Sequence, residues 1–297
     1  MANLKAIRNR ITSVKGTQQI TGAMRMVAAA KMRRATESIN AARPYADKLG
    51  GIIQNLSSQV LTSTSEALLS PLFTQREENN ILIVSVAADR GLCGGFNANI
   101  NKSALLIANQ YKAEGKTVKF VCIGKKSSDF FKKRDFEVIE SYTDIFNHLQ
   151  YEIASNISNY VSNLFVNGSY DKIVLVYNEF KSVIAQVQKN IDFLPIVPEQ
   201  KDEEEENTGI PIEFIFEPSP AVILETLLPK HLTMQIWKAL LDSNAAEQGA
   251  RMAAMESATE NAKDLIKSLN LIYNRSRQAA ITQEISEIVG GAEAIAS

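Results

Sequence analysis

The segment 4–42, LKAIRNRITSVKGTQQITGAMRMVAAAKMRRATESINAA, decides the architecture of this chain. Steps of three and four from Leu4 reach Ile7, Ile11, Val14, Gln18, Thr21, Arg25, Ala28, Met32, Ala35, Ile39 and Ala42, a series mostly apolar or small with a polar middle. That spacing is the seam of a coiled coil. The far end of the chain repeats the rhythm at Met255, Ala258, Ala262, Leu265, Leu269 and Ile272, with Arg251, Lys263 and Lys267 off the seam. Two helices with narrow seams are expected to pair, which makes everything between them an insertion into a helical pair. Small residues at 28–30 and 253–254 permit close approach, while the polar seam positions cost stability and fix register.

The bulk of the sequence bounds the possibilities. At 297 residues with 45% hydrophobic side chains, the chain can bury a substantial core as one or two domains. Its formal net charge of -1 hides an asymmetry. Lys5, Arg8, Arg10, Lys15, Arg25, Lys31, Arg33 and Arg34 all precede the first acid, Glu37, and the balancing acids lie in the run 202–206 and at Glu284, Glu287 and Glu293. Two cysteines, Cys93 and Cys122, and two histidines, His148 and His231, support neither a disulfide framework nor a cysteine-histidine zinc site. No apolar run approaches the roughly 20 residues that span a bilayer. An arginine-rich, acid-poor N-terminus is also the pattern of a mitochondrial transit peptide.

Between the helical ends the texture alternates. The residues predict strands at 81–87, 117–123, 136–139, 172–177, 182–188 and 212–216, and helices at 97–113 and 145–166. Strands alternating with helices imply a mainly parallel sheet covered by helices. The run 202–207, DEEEEN, reads as a solvated loop. Ser219 and Pro220 mark the start of the second long helix and Gly290-Gly291 its stop, while Pro44 and Pro229 are expected to kink or interrupt their helices. A continuous helix over 231–289 would extend roughly 90 Å, so part of it is expected to project.

Chemistry-bearing motifs are few. The loop 88–97, ADRGLCGGFN, follows a buried strand and precedes a helix, a place where backbone N–H groups can cradle phosphate. It lacks the dinucleotide fingerprint spacing and any Gly-Lys-Ser/Thr, so a structural turn is the favoured reading. Nothing marks either histidine as a base for Cys93. Glu284 and Glu287 share a helical face near a C-terminus, where the helix dipole mildly disfavours carboxylates. That points to a partner surface, with simple solubility as the competing explanation. Met24, Met26, Met32, Met252 and Met255 suit adaptable packing between the helices. The basic face of the first helix is not interleaved with aromatics, so an acidic protein partner suits it at least as well as nucleic acid.

RITSVK (10–15), TQQIT (17–21), AMRMVAA (23–29), KMRR (31–34) and RPY (43–45) closely resemble the N-terminal helix of the gamma subunit of F-type ATP synthase, bacterial type. ARM (250–252), AT (258–259), NA (261–262), YN (273–274), RQA (277–279) and ITQEISEIVG (281–290) resemble its C-terminal helix, and the loop 89–97 also matches. The resemblance implies an α/β fold: a long antiparallel coiled coil of N- and C-terminal helices carrying an inserted Rossmann-like α/β domain. It divides the chain into a first shaft helix at 1–70, an inserted foot domain at 75–217 and a second shaft helix at 218–297. It implies a non-catalytic rotor of a proton-translocating enzyme, with alpha and beta subunits around the shaft, the epsilon subunit and c-ring at the foot, and catalysis on beta. No cofactor, metal, nucleic acid or membrane span of its own is implied, and the expected location is the cytoplasmic face of a bacterial inner membrane.

Carried over by position, the resemblance assigns Met24, Arg251, Gln278, Thr282, Glu284 and Glu287 to contacts between shaft and ring. Charge adds Arg8, Arg10, Lys31, Arg33 and Arg34 as a face for acidic loops of beta, and Ile281, Ile285, Ile288 and Val289 form an apolar bearing tip. The regulatory cysteine pair of chloroplast members has no counterpart, so thiol control is not expected. The basic N-terminus is itself the family's shaft helix, which displaces the transit-peptide reading. The competing functions are an α/β nucleotide-binding enzyme using Gly91 to Gly95, oligomerised by its coil, and a coiled-coil adaptor unconnected with ATP.

Overall fold

A computed structural model describes residues 2–63, 70–182, 186–197 and 219–296. They form two compact units, one of 1–29 with 251–297 and the other of 30–250.

The larger unit is built on a five-stranded sheet. Its strands are β1 (Asn80–Val86), β2 (Thr117–Ile123), β3 (Val138–Tyr142), β4 (Lys172–Phe180) and β5 (Gln186–Leu194), in the order β3-β2-β1-β4-β5. The first four are parallel, with Asn80 opposite Thr117 and Ile81 opposite Lys172, and β5 closes the edge antiparallel to β4. β1 reads as an almost continuous apolar run because both of its faces are covered. Ile81 and Ile83 meet Phe120, Cys122, Val174 and Val176 beneath α2 (Phe96–Ala113) and α3 (Lys125–Lys132). Leu82, Val84 and Val86 face the opposite way, toward Ala154, Ile157, Val161 and Phe165 of α4 (Tyr151–Val166). The same core takes in Leu49, Ile53 and Leu56 of the first long helix, α1 (Ala2–Ser63), and Leu224, Leu228, Leu232, Ile236 and Leu240 of the last, α5 (Pro220–Ala296). Both long helices are therefore built into the sheet's own hydrophobic core.

In the smaller unit the seam is legible residue by residue. Ile11, Thr21 and Ala28 of α1 are buried, as are Met255, Ala262 and Leu269 of α5. Thr21 Oγ1 meets Thr259 Oγ1 at 2.8 Å across the pair, and the Arg25 guanidinium reaches Glu256 Oε1 at 3.1 Å. The polar middle of the seam is thus paired from helix to helix. Leu265 and Ile272 depart from expectation and are 41% and 48% exposed. Between the buried positions the half-buried ones are Thr259, Ile266 and Tyr273 instead.

Other expectations shift. α5 starts at Pro220, where the Val222 amide donates to Ser219 Oγ at 3.4 Å. Pro44 and Pro229 lie inside α1 and α5 without ending either, and α5 continues through Gly290-Gly291 to Ala296. The third strand starts at Val138, because Phe136 turns into an aromatic cluster with Phe120 and Phe131 after a left-handed Asp135. A single helix over 145–166 is replaced by a short 3-10 turn, Ile145–Asn147, and then α4, leaving exposed His148 in the connection. The strand expected at 182–188 is β5, displaced toward the C-terminus. The strand expected at 212–216 and the acidic run 202–206 lie outside the described residues.

Candidate coupling surfaces

The glycine-rich loop stands where a doubly wound sheet would bind a ligand. β1 is flanked by β2 on one side and β4 on the other, so the end of β1 is a topological switch point. Here that place is taken by the chain's own helix. Ala88, Cys93 and Phe96 pack with Ala246 of α5, with Phe180 and Ala250 alongside. Asn97 knits the loop together. Its Oδ1 accepts from the Ala88 amide at 2.9 Å, and its Nδ2 donates to the Arg90 carbonyl at 3.1 Å and to Cys93 Sγ at 3.1 Å. Asp89 Oδ1 accepts from the Lys125 amide at 3.0 Å, tying the loop to the start of α3. The loop is a socket for α5, clasped internally by Asn97 and tied to α3 by Asp89.

Cys93 is buried in that socket. His231 does not serve it as a base, since its Nε2 pairs with Gln235 Nε2 at 2.8 Å and burial lowers its pKa. Cys122 is held as a thiol, because burial pushes its pKa up to about 12.

The predicted coupling residues fall on two surfaces. In the coil unit Met24 and Arg251 are half-buried, whereas Gln278, Thr282, Glu284 and Glu287 are exposed. Thr282 Oγ1 donates to the Gln278 carbonyl at 3.0 Å and Gln283 Nε2 to Glu287 Oε1 at 3.0 Å, so these side chains are braced along their own helix. Ile281, Ile285, Ile288 and Val289 are 45%, 55%, 70% and 60% exposed, an apolar stripe on a single helix. α5 runs nine residues past Glu287, so the expected dipole penalty on Glu284 and Glu287 does not apply; that effect fades within about one turn. In the sheet unit Lys31, Arg33 and Arg34 are exposed, and Arg33 leans on Glu37 at 3.5 Å. Sequence reasoning missed the exposed apolar residues Ile20, Val27 and Leu271 of the coil unit, and Met26, expected to pack between the helices, is exposed as well. The signal was available, since all are apolar and off the seam.

Architecture and surface together define a class: a coiled-coil protein carrying an inserted, doubly covered α/β domain whose switch-point crevice is closed by its own helix. Known proteins narrow this. The model of the ATP synthase family matches residues 3–295. The ATP synthase gamma chain of Chlorobium limicola is 50% identical over 301 residues, covering 99% of both chains, and that of Chloroherpeton thalassium is 48% identical over 305 residues with the same coverage. Among solved structures, the fold is shared with a chain of the central stalk and c-ring of Tetrahymena thermophila mitochondrial ATP synthase, with a TM-score of 0.60 at 24% identity over 80% of this chain and 99% of that one. It is shared also with a chain of Euglena gracilis mitochondrial ATP synthase, with a TM-score of 0.68 at 17% identity over 99% and 95%. The chain belongs to the gamma-chain family of ATP synthase.

Proposed function

We propose that the chain is the non-catalytic rotor of a proton-translocating ATP synthase and couples rotation of the c-ring to the catalytic sites of the beta subunits. In this reading the alpha and beta subunits surround the paired helices, and the inserted domain at 75–217 meets epsilon and the c-ring. The segments assigned to the shaft are 1–70 and 218–297. The observation that carries the reading is the apolar stripe Ile281, Ile285, Ile288 and Val289, fully a part of α5 yet left to solvent by its own unit. A stripe of this kind marks a partner surface. Burying it in a bearing contributes on the order of a few kcal/mol.

Coupling follows from asymmetry. A rotor changes the state of a catalytic site only if its contacts with that site differ in free energy between orientations. The apolar tip supplies a contact indifferent to angle, suited to a pivot. The charged groups, basic Lys31, Arg33 and Arg34 and acidic Glu284 and Glu287, supply contacts that differ with angle. Basic Arg8, Arg10, Lys31, Arg33 and Arg34 face acidic loops of beta, while Met24, Arg251, Gln278 and Thr282 transmit position. The reading places the subunit on the cytoplasmic face of a bacterial membrane as a peripheral component. Among the described residues no helix is long and apolar enough to cross a membrane.

Stoichiometry tests it. Purification through a tagged copy of this chain is expected to recover an ATPase hexamer at one copy per hexamer. Recovery of the chain alone, with nucleotide bound to it, would instead support the α/β enzyme reading. Reversal of charge at Arg33 and Arg34 is expected to weaken rotor-dependent hydrolysis, and unchanged coupling would remove these two residues from the working face.

A further inference from the structure

The joint between α5 and the end of β4 holds a group that neither packing nor coupling explains. Asp242 is 1% exposed, and both of its carboxylate oxygens are buried without a hydrogen-bond partner among the described residues. The Phe180 amide is near enough to favour the charged form slightly, yet makes no hydrogen bond of good geometry with it. Ser243, the next residue, takes the Asn178 amide on its Oγ at 3.4 Å, and Ala246, one turn on, sits in the loop socket. Asp242 therefore lies in the middle of the surface by which the sheet holds α5.

Charged groups act on it from three elements. From α5 itself comes Lys238, whose ammonium is also 3.9 Å from Asp47 of α1. From α1 comes Arg43, a weaker influence. From β4 come Glu179 and Tyr177, Glu179 opposing the charge on Asp242 and Tyr177 being itself raised by burial and by Asp242. Glu179 Oε2 is buried without a hydrogen-bond partner, and its only ion pair among the described residues is to Lys189 of β5 at a loose 3.8 Å. Asp242 is thus buried with both oxygens unpaired, without a salt bridge to a cation among the described residues and with the Glu179 charge acting against its own, the arrangement that favours the neutral acid.

We propose that Asp242 is a proton-controlled latch: when it takes up a proton from the acidified solvent it becomes a neutral carboxylic acid, the cost of its buried, unpaired charge is removed, and the grip of the sheet on α5 tightens. The inference rests on the packing of the sheet unit and stands whether or not the rotor reading does. Burial, the largest cause, pushes the Asp242 pKa up to about 6, with Glu179 adding to the rise and Lys238 opposing it. The folded value thus exceeds the unfolded one, near 4. The folded joint binds more protons between the two values, so its stability is full at low pH and falls as pH rises from about 4 to about 6. Above that it stays at the lower level. Neutral conditions leave the latch mostly open, and acidification of the surrounding solution closes it.

The test is amide hydrogen exchange on the chain assembled in ATP synthase, corrected for intrinsic rates, over pH 5 to 8. In the wild type, protection of residues 239–250 and of the loop 88–97 is expected to rise on acidification, by about 10-fold between pH 8 and pH 5 for a two-unit shift. Asp242→Asn, a neutral side chain of the same shape, is expected to show the acid-side protection at every pH. Glu179→Gln, which keeps Asp242 and removes the neighbouring charge, is expected to move the midpoint down. Flat wild-type protection, a pH slope that survives in Asp242→Asn, or an unmoved midpoint in Glu179→Gln would each overturn the proposal.

Discussion

Gly124 shows how much one residue can carry. It ends β2 with φ at +93° and donates its amide to the Tyr142 carbonyl at 2.7 Å, which turns the chain into α3. A Cβ there would lie 2.0 Å from the Ala87 carbonyl oxygen, against backbone that cannot give way. Gly124→Ala is expected to lower unfolding stability by about 2–4 kcal/mol, the left-handed penalty plus the clash, measured by thermal or urea denaturation. Asp242→Asn is the opposite case. A buried carboxyl whose folded pKa is raised opposes folding above that value, so the amide is expected to add on the order of 2–3 kcal/mol at pH 7.5 and nothing near pH 4. Denaturation at the two pH values reads the difference directly. At this scale the sequence was only half legible. The loop 88–97 could be located from its glycines, but Asn97 as its internal clasp and Asp242 as a buried acid depend on neighbours distant in sequence.

At the scale of elements, the coil was legible because its signal is periodic and repeated. Each position of the series beginning at Leu4, apart from Arg25, is buried or half-buried, and Arg25 is paired across the seam. The other strand of the coil went astray at Leu265 and Ile272 by a single residue. Steps of three and four can be taken in either order, and two pairs of consecutive large residues, Leu265-Ile266 and Ile272-Tyr273, leave the order open. α3 went unseen because KKSSDFFK is too short and too polar at its start to show a period. Within the coil, each threonine hydroxyl has one proton: Thr259 can donate to the Met255 carbonyl at 2.7 Å while accepting from Thr21. Thr21→Val is therefore expected to cost about 1 kcal/mol rather than the full penalty of a stranded group, with exchange protection lost first around 255–262. Ile285→Asp is expected to spare the fold, since the side chain is 55% exposed, and to weaken assembly with the enzyme by about tenfold or more, read as loss of co-purifying ATPase.

At the scale of the whole molecule, sequence similarity carries identity and physical reading carries mechanism. The inserted domain has the plan of a ligand-binding fold, and its one site of choice has been given over to holding α5. A nucleotide enzyme would need that crevice open; a stalk needs it filled. The account therefore makes the sheet domain turn with the helices it grips. Cys93 and Cys122 are buried, so a cysteine introduced at exposed Lys102 on α2 offers a single site for a probe. With the surrounding ring of ATP synthase immobilised and ATP supplied, a bead on Lys102→Cys is expected to rotate continuously in one direction. A bead that stays still while ATP is hydrolysed at an undiminished rate would contradict the account.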